Sequence, residues 1–260
     1  MIASKMTAAA ALVAAAAGTV AAQTVLLAED FDGATPTIGP GFTTSVTDAG
    51  GSSSDYFRVT DGSDISGTYL NATGNFFAAQ DIDGIAGVVD NGFGGQGASR
   101  QQLRFDNIDV SGFQQLVLSF SAAESDAADG NEDWDLPDLV HASFVFDGVP
   151  PTDGDTGYSL WFDSMPNDTE FNAAPWLNSD FDGDGGDDLD DVPVTSTFAS
   201  FSDLVNTNGA LTASLVITFD LNAGDEDFAI DDIVVTGLVP TPGAPMVALL
   251  AAAPLMRRRR

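Results

Sequence analysis

The chain of 260 residues contains 39 Asp and Glu, only 8 Lys and Arg, and no cysteine. Between Glu29 and Asp232 three arginines stand against all 39 acids, a formal charge of −36. Such a field repels the phosphates of nucleic acids, so we expect no nucleic acid partner. Without cysteine, the fold cannot rely on disulfides.

The N-terminus has the features of an export signal. One lysine precedes an alanine-rich apolar run, and this run is followed by small residues up to Ala22. This order is typical of a secretory signal peptide that is cleaved after such residues. We therefore predict a signal peptide at 1–22 and an exported chain; a buried N-terminal helix is the alternative.

Period-two alternation predicts β-strands through the middle of the chain. In 211–220 most alternate residues from Leu211 to Phe219 are apolar, and 115–122 and 139–148 alternate in the same way. Further strands are predicted at 24–28, 57–60, 74–78, 101–105, 158–162, 198–201 and 228–235. Turn-forming residues separate nearly all of them. We therefore predict an all-β chain, a single jelly-roll-like β-sandwich at 23–236 with long acidic loops.

The densest acidic segment, 180–191, reads DFDGDGGDDLDD and predicts a calcium loop. Carboxylates this close repel one another unless a cation lies among them. In a twelve-residue calcium loop the ligands would be Asp180, Asp182, Asp184, the carbonyl of Gly186, Asp188 and Asp191. The last of these is shorter than the usual Glu. A solvated acidic loop is the alternative.

A second, weaker calcium site is predicted where the first and last strands meet. Jelly-roll modules often hold a structural calcium between these strands, and this analogy points to Glu29, Asp30 and Asp231. Exposed charge at the strand ends is the alternative. The acidic segment 124–138 could hold a cation or be a solvated loop.

Three tryptophans and one tyrosine are candidates for stacking on sugar rings: Trp134, Trp161, Trp176 and Tyr158. The usual role of such residues in a sandwich is core packing. The single histidine, His141, lies in a predicted strand, on the face opposite Phe144. One histidine without any cysteine argues against a zinc site and against a catalytic triad. The GFGGQG segment at 92–97 precedes a predicted strand, and a dinucleotide site requires a helix there.

The chain ends with a three-part pattern. A Pro-x-Pro motif (Val239, Pro240, Thr241, Pro242, Gly243) follows the domain, then an apolar run, then Arg257, Arg258, Arg259 and Arg260. The pattern resembles the PEP-CTERM class of bacterial sorting signals, with Thr241 where that class usually has an acid. The resemblance implies a linker at 237–243 and an apolar sorting helix with its arginine cluster at 244–260. It also implies a sorting transpeptidase of the exosortase type and transient membrane association.

The body of the chain also resembles a known module. The segments 28–33, 76–84, 108–120, 133–148, 179–189 and 223–235 are similar to a β-sandwich module of bacterial secreted proteins. That module accompanies extracellular nuclease and lamin-tail-type domains, and the resemblance implies fold but no catalytic residues.

We therefore predict a non-enzymatic protein of the cell surface or extracellular matrix. Its calcium-stabilised β-sandwich would serve adhesion or matrix interaction. One alternative is a carbohydrate-binding module with extracellular polysaccharide as its partner. The other is an extracellular hydrolase with a pair of carboxylates, which requires a cleft containing both groups and one raised pKa.

Overall fold

A computed structural model describes residues 23–48, 50, 52–86, 88, 98–125, 134, 138–150, 158–163, 174–178 and 192–239. The predicted signal peptide at 1–22, the acidic loop at 180–191 and the tail from 240 onward lie outside these described residues.

Within the described residues the chain forms β-strands and one short 3-10 helix, Ile82–Gly84. The strands are β1 Gln23–Glu29, β2 Phe42–Thr44, β3 Tyr56–Thr60, β4 Phe76–Gln80, β5 Arg100–Asp109, β6 Gln115–Ala123, β7 Leu139–Phe146, β8 Tyr158–Asp163, β9 Trp176–Leu177, β10 Val192–Pro193, β11 Ala199–Asn206, β12 Thr212–Asp220 and β13 Asp227–Leu238. None of the helical structure described is long and apolar enough to cross a membrane.

The strands form two antiparallel sheets that pack as a sandwich. The six-stranded sheet has the order β11-β6-β13-β4-β3, with β1 paired to β13. The seven-stranded sheet has the order β10-β9-β8-β7-β12-β5-β2. These two sheets confirm the predicted all-β sandwich. Each sheet buries the apolar faces of its strands against the other sheet.

Aromatic side chains join the two sheets through the core. Phe162 of the seven-stranded sheet contacts Phe228 and Phe201 of the six-stranded sheet, with ring centroids 5.1 and 5.2 Å apart. Phe219 and Phe57 meet in the same way at 5.4 Å. Such ring pairs add to the free energy gained by burying their area. The apolar residues that alternate along the predicted strands therefore form the core.

All ten strands predicted from alternation are present, and three short strands (β2, β9 and β10) were missed. These three have two or three residues each, too few for a period to show. The predicted boundary at 236 also needs correction, because β13 continues through Gly237 to Leu238. Gly237 pairs with Leu116 inside the sheet, so these two residues belong to a strand and not to the linker.

The outer faces of the two sheets differ. On the six-stranded sheet, Tyr69 and Phe198 pack over a small cluster that includes Phe76 and Ala229. The Tyr69 hydroxyl donates to Asp227 Oδ1 at 2.6 Å, and this hydrogen bond holds the Tyr69 ring over the cluster. The outer face of the seven-stranded sheet instead carries a groove.

Candidate functional site

The groove on the outer face of the seven-stranded sheet, called the outer groove below, has a volume of about 470 Å³. This size is within the range of small-ligand sites. Its lining residues are Arg100, Gln102, Arg104, His141, Ser143, Val145, Pro150, Tyr158, Val216 and Thr218. Ser143, Val216 and Thr218 form its floor, because each is at most 5% exposed although it points away from the core.

Strand alternation explains why these residues face outward. On β5, Gln101, Leu103 and Phe105 are buried, so the residues between them lie on the other face of the sheet. Antiparallel pairing then aligns the outward side chains in rows across the strands. One row contains Gln102, Thr218, His141 and Trp161. The next row contains Arg104, Val216, Ser143 and Tyr158.

A β-bulge places two aromatic residues of β8 on the same face. Tyr158 and Trp161 are three positions apart, so simple alternation would put them on opposite faces. The pairing shifts between Ser143–Tyr158 and His141–Trp161, and β8 has one extra residue there. Such a bulge re-aims side chains. Both rings therefore lie on the outer face, with centroids 5.6 Å apart.

The aromatic cluster at this end of the outer groove contains His141, Tyr158 and Trp161. The rings of His141 and Trp161 stack, with centroids 4.7 Å apart and planes at 12°. Tyr158 meets His141 edge to face at 5.5 Å. The indole Nε1 donates to Asp163 Oδ2 at 3.1 Å, and Asn178 Nδ2 donates to the same oxygen. These bonds hold the cluster in a defined orientation.

His141 is neutral in this environment. Burial, together with the positive charge of Arg100, lowers the pKa of His141 to about 3. Its Nδ1 is buried and has no hydrogen-bond partner among the described residues. Buried polar atoms are normally paired, so this nitrogen is an exception among the described residues.

Hydrogen-bonding side chains occupy the other end of the outer groove. Arg104 donates through Nη1 to Gln102 Oε1 at 3.3 Å and through Nη2 to Asp106 Oδ1 at 3.1 Å. Gln102 Nε2 donates to Thr218 Oγ1 at 3.4 Å. The outer groove thus combines rings at one end with amide, hydroxyl and guanidinium groups at the other.

Sequence reasoning did not single out Gln102, Arg104 or Thr218. A signal was present, because two of the three arginines between Glu29 and Asp232 lie four residues apart, one within the strand predicted at 101–105 and one directly before it. That spacing places Arg100 and Arg104 on one face. The absence of lysine from the same stretch makes this pair conspicuous.

The tryptophans predicted to stack on a ligand have different environments. Trp161 belongs to the aromatic cluster, as described. Trp176 is half-buried and pairs with Asp163 at the edge of the same sheet. Trp134 is fully buried and packs on Phe228 with centroids 5.9 Å apart. Its ring is therefore part of the core, which is the usual role of tryptophan in a sandwich, and it is no longer a candidate for stacking on a ligand.

The carboxylates of the weaker predicted calcium site are close enough to influence one another. Burial, with the charges of Asp232, Asp32 and Asp30, raises the pKa of Asp231 to about 7. Burial likewise raises the pKa of Glu29, whose Oε2 has no hydrogen-bond partner among the described residues. In the described parts of the chain no three His, Cys, Asp or Glu side chains are arranged to hold a metal ion. Calcium at this site and in the 180–191 loop stays a prediction.

No carboxylate pair of the kind that hydrolases use is found among the described residues that line the outer groove, which include no acid. Asp81, whose pKa is raised to about 6 by burial and by Asp83 and Asp55, follows β4 in the other sheet. The described residues of the outer groove offer stacking surfaces and hydrogen-bonding groups.

No family model matches the chain, and no curated protein matches its sequence. Solved structures with a similar course of the chain include the xylan-binding domain of a Paenibacillus barcinonensis protein, at 9% identity, 85% coverage of this chain, 99% of that chain and a TM-score of 0.38. A cleaved adhesin domain of Porphyromonas gingivalis Lys-gingipain has 13% identity, coverages of 83% and 99%, and a TM-score of 0.38. A cyclase from Fischerella sp. has 10% identity, coverages of 82% and 96%, and a TM-score of 0.42. At such values the similarity does not extend to a ligand or an activity.

Proposed function

We propose that this protein is an exported surface or matrix protein that binds polysaccharide through the outer groove, without catalysis. One observation carries the proposal: the cluster of His141, Tyr158 and Trp161 lies on the same sheet face as Gln102 and Thr218. A sugar ring has an apolar C–H face and a rim of hydroxyls. A site for it therefore needs rings and hydrogen-bonding groups side by side.

The roles within the outer groove follow from chemistry. Tyr158 offers a ring to the apolar face of a sugar. Gln102, Ser143 and Thr218 donate and accept hydrogen bonds at its hydroxyls. Because His141 is neutral, it adds no positive charge of its own to the ring cluster. Trp161 positions His141 by stacking on it.

The two ends of the chain support a location at the envelope. The signal peptide would direct export, and the tail with its four arginines would be held at the membrane while an exosortase-type enzyme processes it. A polysaccharide-binding domain delivered in this way would serve adhesion to a matrix.

Calcium would stabilise the domain in this proposal. At the junction of β1 and β13, Glu29, Asp30 and Asp231 offer the oxygen ligands that calcium takes. The unpartnered Oε2 of Glu29 fits such a role. In the acidic loop, Asp180, Asp182, Asp184, Asp188 and Asp191 would be the carboxylate ligands.

The test is affinity electrophoresis of the chain through gels that contain different polysaccharides, of both neutral and acidic types. We expect at least one polysaccharide to retard it, and Tyr158→Ala to weaken that binding by about tenfold or more, which is about 1.4 kcal/mol. The matched control is Leu204→Ala, an exposed residue of β11 in the other sheet. Mobility unchanged by every polysaccharide would contradict the proposal.

A further inference from the structure

Two of the three arginines of the acidic stretch have structural roles. Arg58 bonds to Asp48 Oδ2 at 2.9 Å and to Asp64 Oδ2 at 3.1 Å, which ties together the chain on either side of β3. Arg100 Nε bonds to Asp220 Oδ2 at 2.9 Å, and that carboxylate is fully buried. A buried carboxylate requires a paired cation, so the fold itself accounts for Arg100.

Arg104 has no comparable structural role. Its side chain is 30% exposed, and its partner Asp106 is 42% exposed. Exposed ion pairs of this kind add little to stability. Although burial acts to raise the pKa of Asp106, hydrogen bonds from Ser214 and Arg104 lower it below its ordinary value, so the pair is ionised at neutral pH. Folding therefore does not explain a cation at this position.

The guanidinium of Arg104 keeps donors available to a ligand. It uses Nη1 for Gln102 and Nη2 for Asp106, which leaves three of its five N–H groups. The two partners lie two residues before and two residues after Arg104 on β5, and together they orient the guanidinium. A planar, oriented guanidinium is the group that binds a carboxylate with two parallel hydrogen bonds.

We propose that Arg104 makes the outer groove selective for acidic polysaccharide, by binding the carboxylate of a uronic acid residue. This inference rests on the proposed function and adds the class of ligand. Arg104 and Tyr158 lie in one row with two strands between them, so their backbones are about 14 Å apart by strand spacing. A ligand that contacts both is an oligosaccharide, with one sugar at the ring cluster and a uronate further along.

Because the domain is strongly acidic, binding of an acidic polysaccharide would indicate specific contacts. A formal charge of −36 between Glu29 and Asp232 opposes non-specific binding of any polyanion. An acidic polymer that binds must therefore gain specific contacts, and salt that screens the repulsion should not abolish them.

The experiment measures the affinity of the full chain for three polyuronates, polygalacturonate, polymannuronate and polyglucuronate, at 0.15 M salt, a concentration at which screening acts over about 8 Å. Each polymer is paired with the same polymer after reduction of its carboxyl groups to alcohols. We expect one polyuronate to bind at least about tenfold more tightly than its reduced form, a difference of about 1.4 kcal/mol. Arg104→Gln should remove that preference, so that the polyuronate and its reduced form bind with equal affinity.

Two further variants keep the result interpretable. Arg104→Lys preserves the charge but not the paired hydrogen bonds, and it should retain only part of the preference. Asn206→Asp, an exposed residue on β11, makes the same change in net charge outside the outer groove and should leave binding unchanged. Thermal unfolding of each variant confirms that it is folded.

The failures are distinguishable. Equal binding of a polyuronate and its reduced form, unaltered by Arg104→Gln, would overturn the acidic selectivity and leave polysaccharide binding intact. Binding of neutral polysaccharides alone in the earlier gels would do the same. An absence of binding to every polymer in both experiments would overturn the proposed function and this inference together.

Discussion

Asp231 shows how the fold changes the chemistry of a single residue. It is 6% exposed and lies beside other acids, and burial raises its pKa to about 7 from an ordinary value of 3.8. A carboxyl group with a raised pKa in the folded state favours folding when protonated. The contribution of this group to the free energy of unfolding is complete below pH 3.8 and is lost as the pH rises through about 7.

We therefore expect Asp231→Asn to stabilise the metal-free protein at pH 8, because it removes a charge that the fold disfavours. The rise in the unfolding midpoint should be about 2–4 °C, the shift that about 1 kcal/mol produces in a domain of this size. At pH 4 the variant and the parent should unfold at nearly the same temperature. Thermal unfolding in excess chelator measures both values.

The control for this prediction is Asp61→Asn, since Asp61 is an exposed acid whose pKa is lowered by hydrogen bonds from Ser63. It should give no stabilisation at pH 8. An equal gain from both variants would mean that net charge, and not the burial of Asp231, causes the effect.

At the scale of the element, β13 organises the six-stranded sheet. It pairs with β6, β4 and β1, and it crosses most of the domain from Asp227 to Leu238. Near its end the ring of Phe113 lies against Gly237, where an added Cβ would be 2.5 Å from the ring. This close approach explains a glycine inside a strand.

We expect Gly237→Ala to destabilise the protein by about 1–3 kcal/mol, the usual cost of overpacking. Urea unfolding measures the change. The matched control is Gly224→Ala, a turn position where an added Cβ would meet no atom within 4 Å. Equal stability of the two variants would show that the ring of Phe113 moves away without cost.

At the scale of the whole molecule, charge dominates. The excess of acids creates self-repulsion that screening reduces. Salt and calcium are therefore separate influences on stability, the first through screening and the second through sites.

We expect the unfolding midpoint to rise as NaCl increases, because screening relieves repulsion in the folded state. At constant high ionic strength, calcium should raise the midpoint further. At a hundredfold excess over the dissociation constant it should add about 2.7 kcal/mol to the free energy of unfolding. Loss of the calcium effect in the double variant Asp182→Ala, Asp184→Ala would assign it to the loop. Loss in Asp231→Asn would assign it to the β1–β13 junction, and no calcium effect in the parent would contradict both sites.

The sequence by itself determined the all-β class and nearly all of the strands. Alternation of apolar residues is a local property, and it specifies which face of each strand is buried without knowledge of its neighbours. Net charge is local in the same sense, because it depends on the residues alone. The two terminal signals are predicted from the order of residues along the chain and stay predictions.

Only the tertiary structure decided where a ligand could bind. The outer groove joins Arg104 of β5, His141 of β7, Tyr158 of β8 and Thr218 of β12, and their alignment depends on register. The bulge in β8 reverses what alternation from the buried Leu160 and Phe162 implies for Tyr158. Burial of Trp134 removes a candidate that the sequence did not distinguish from Trp161. Register, bulges and burial depend on pairing between distant strands, which no local pattern contains.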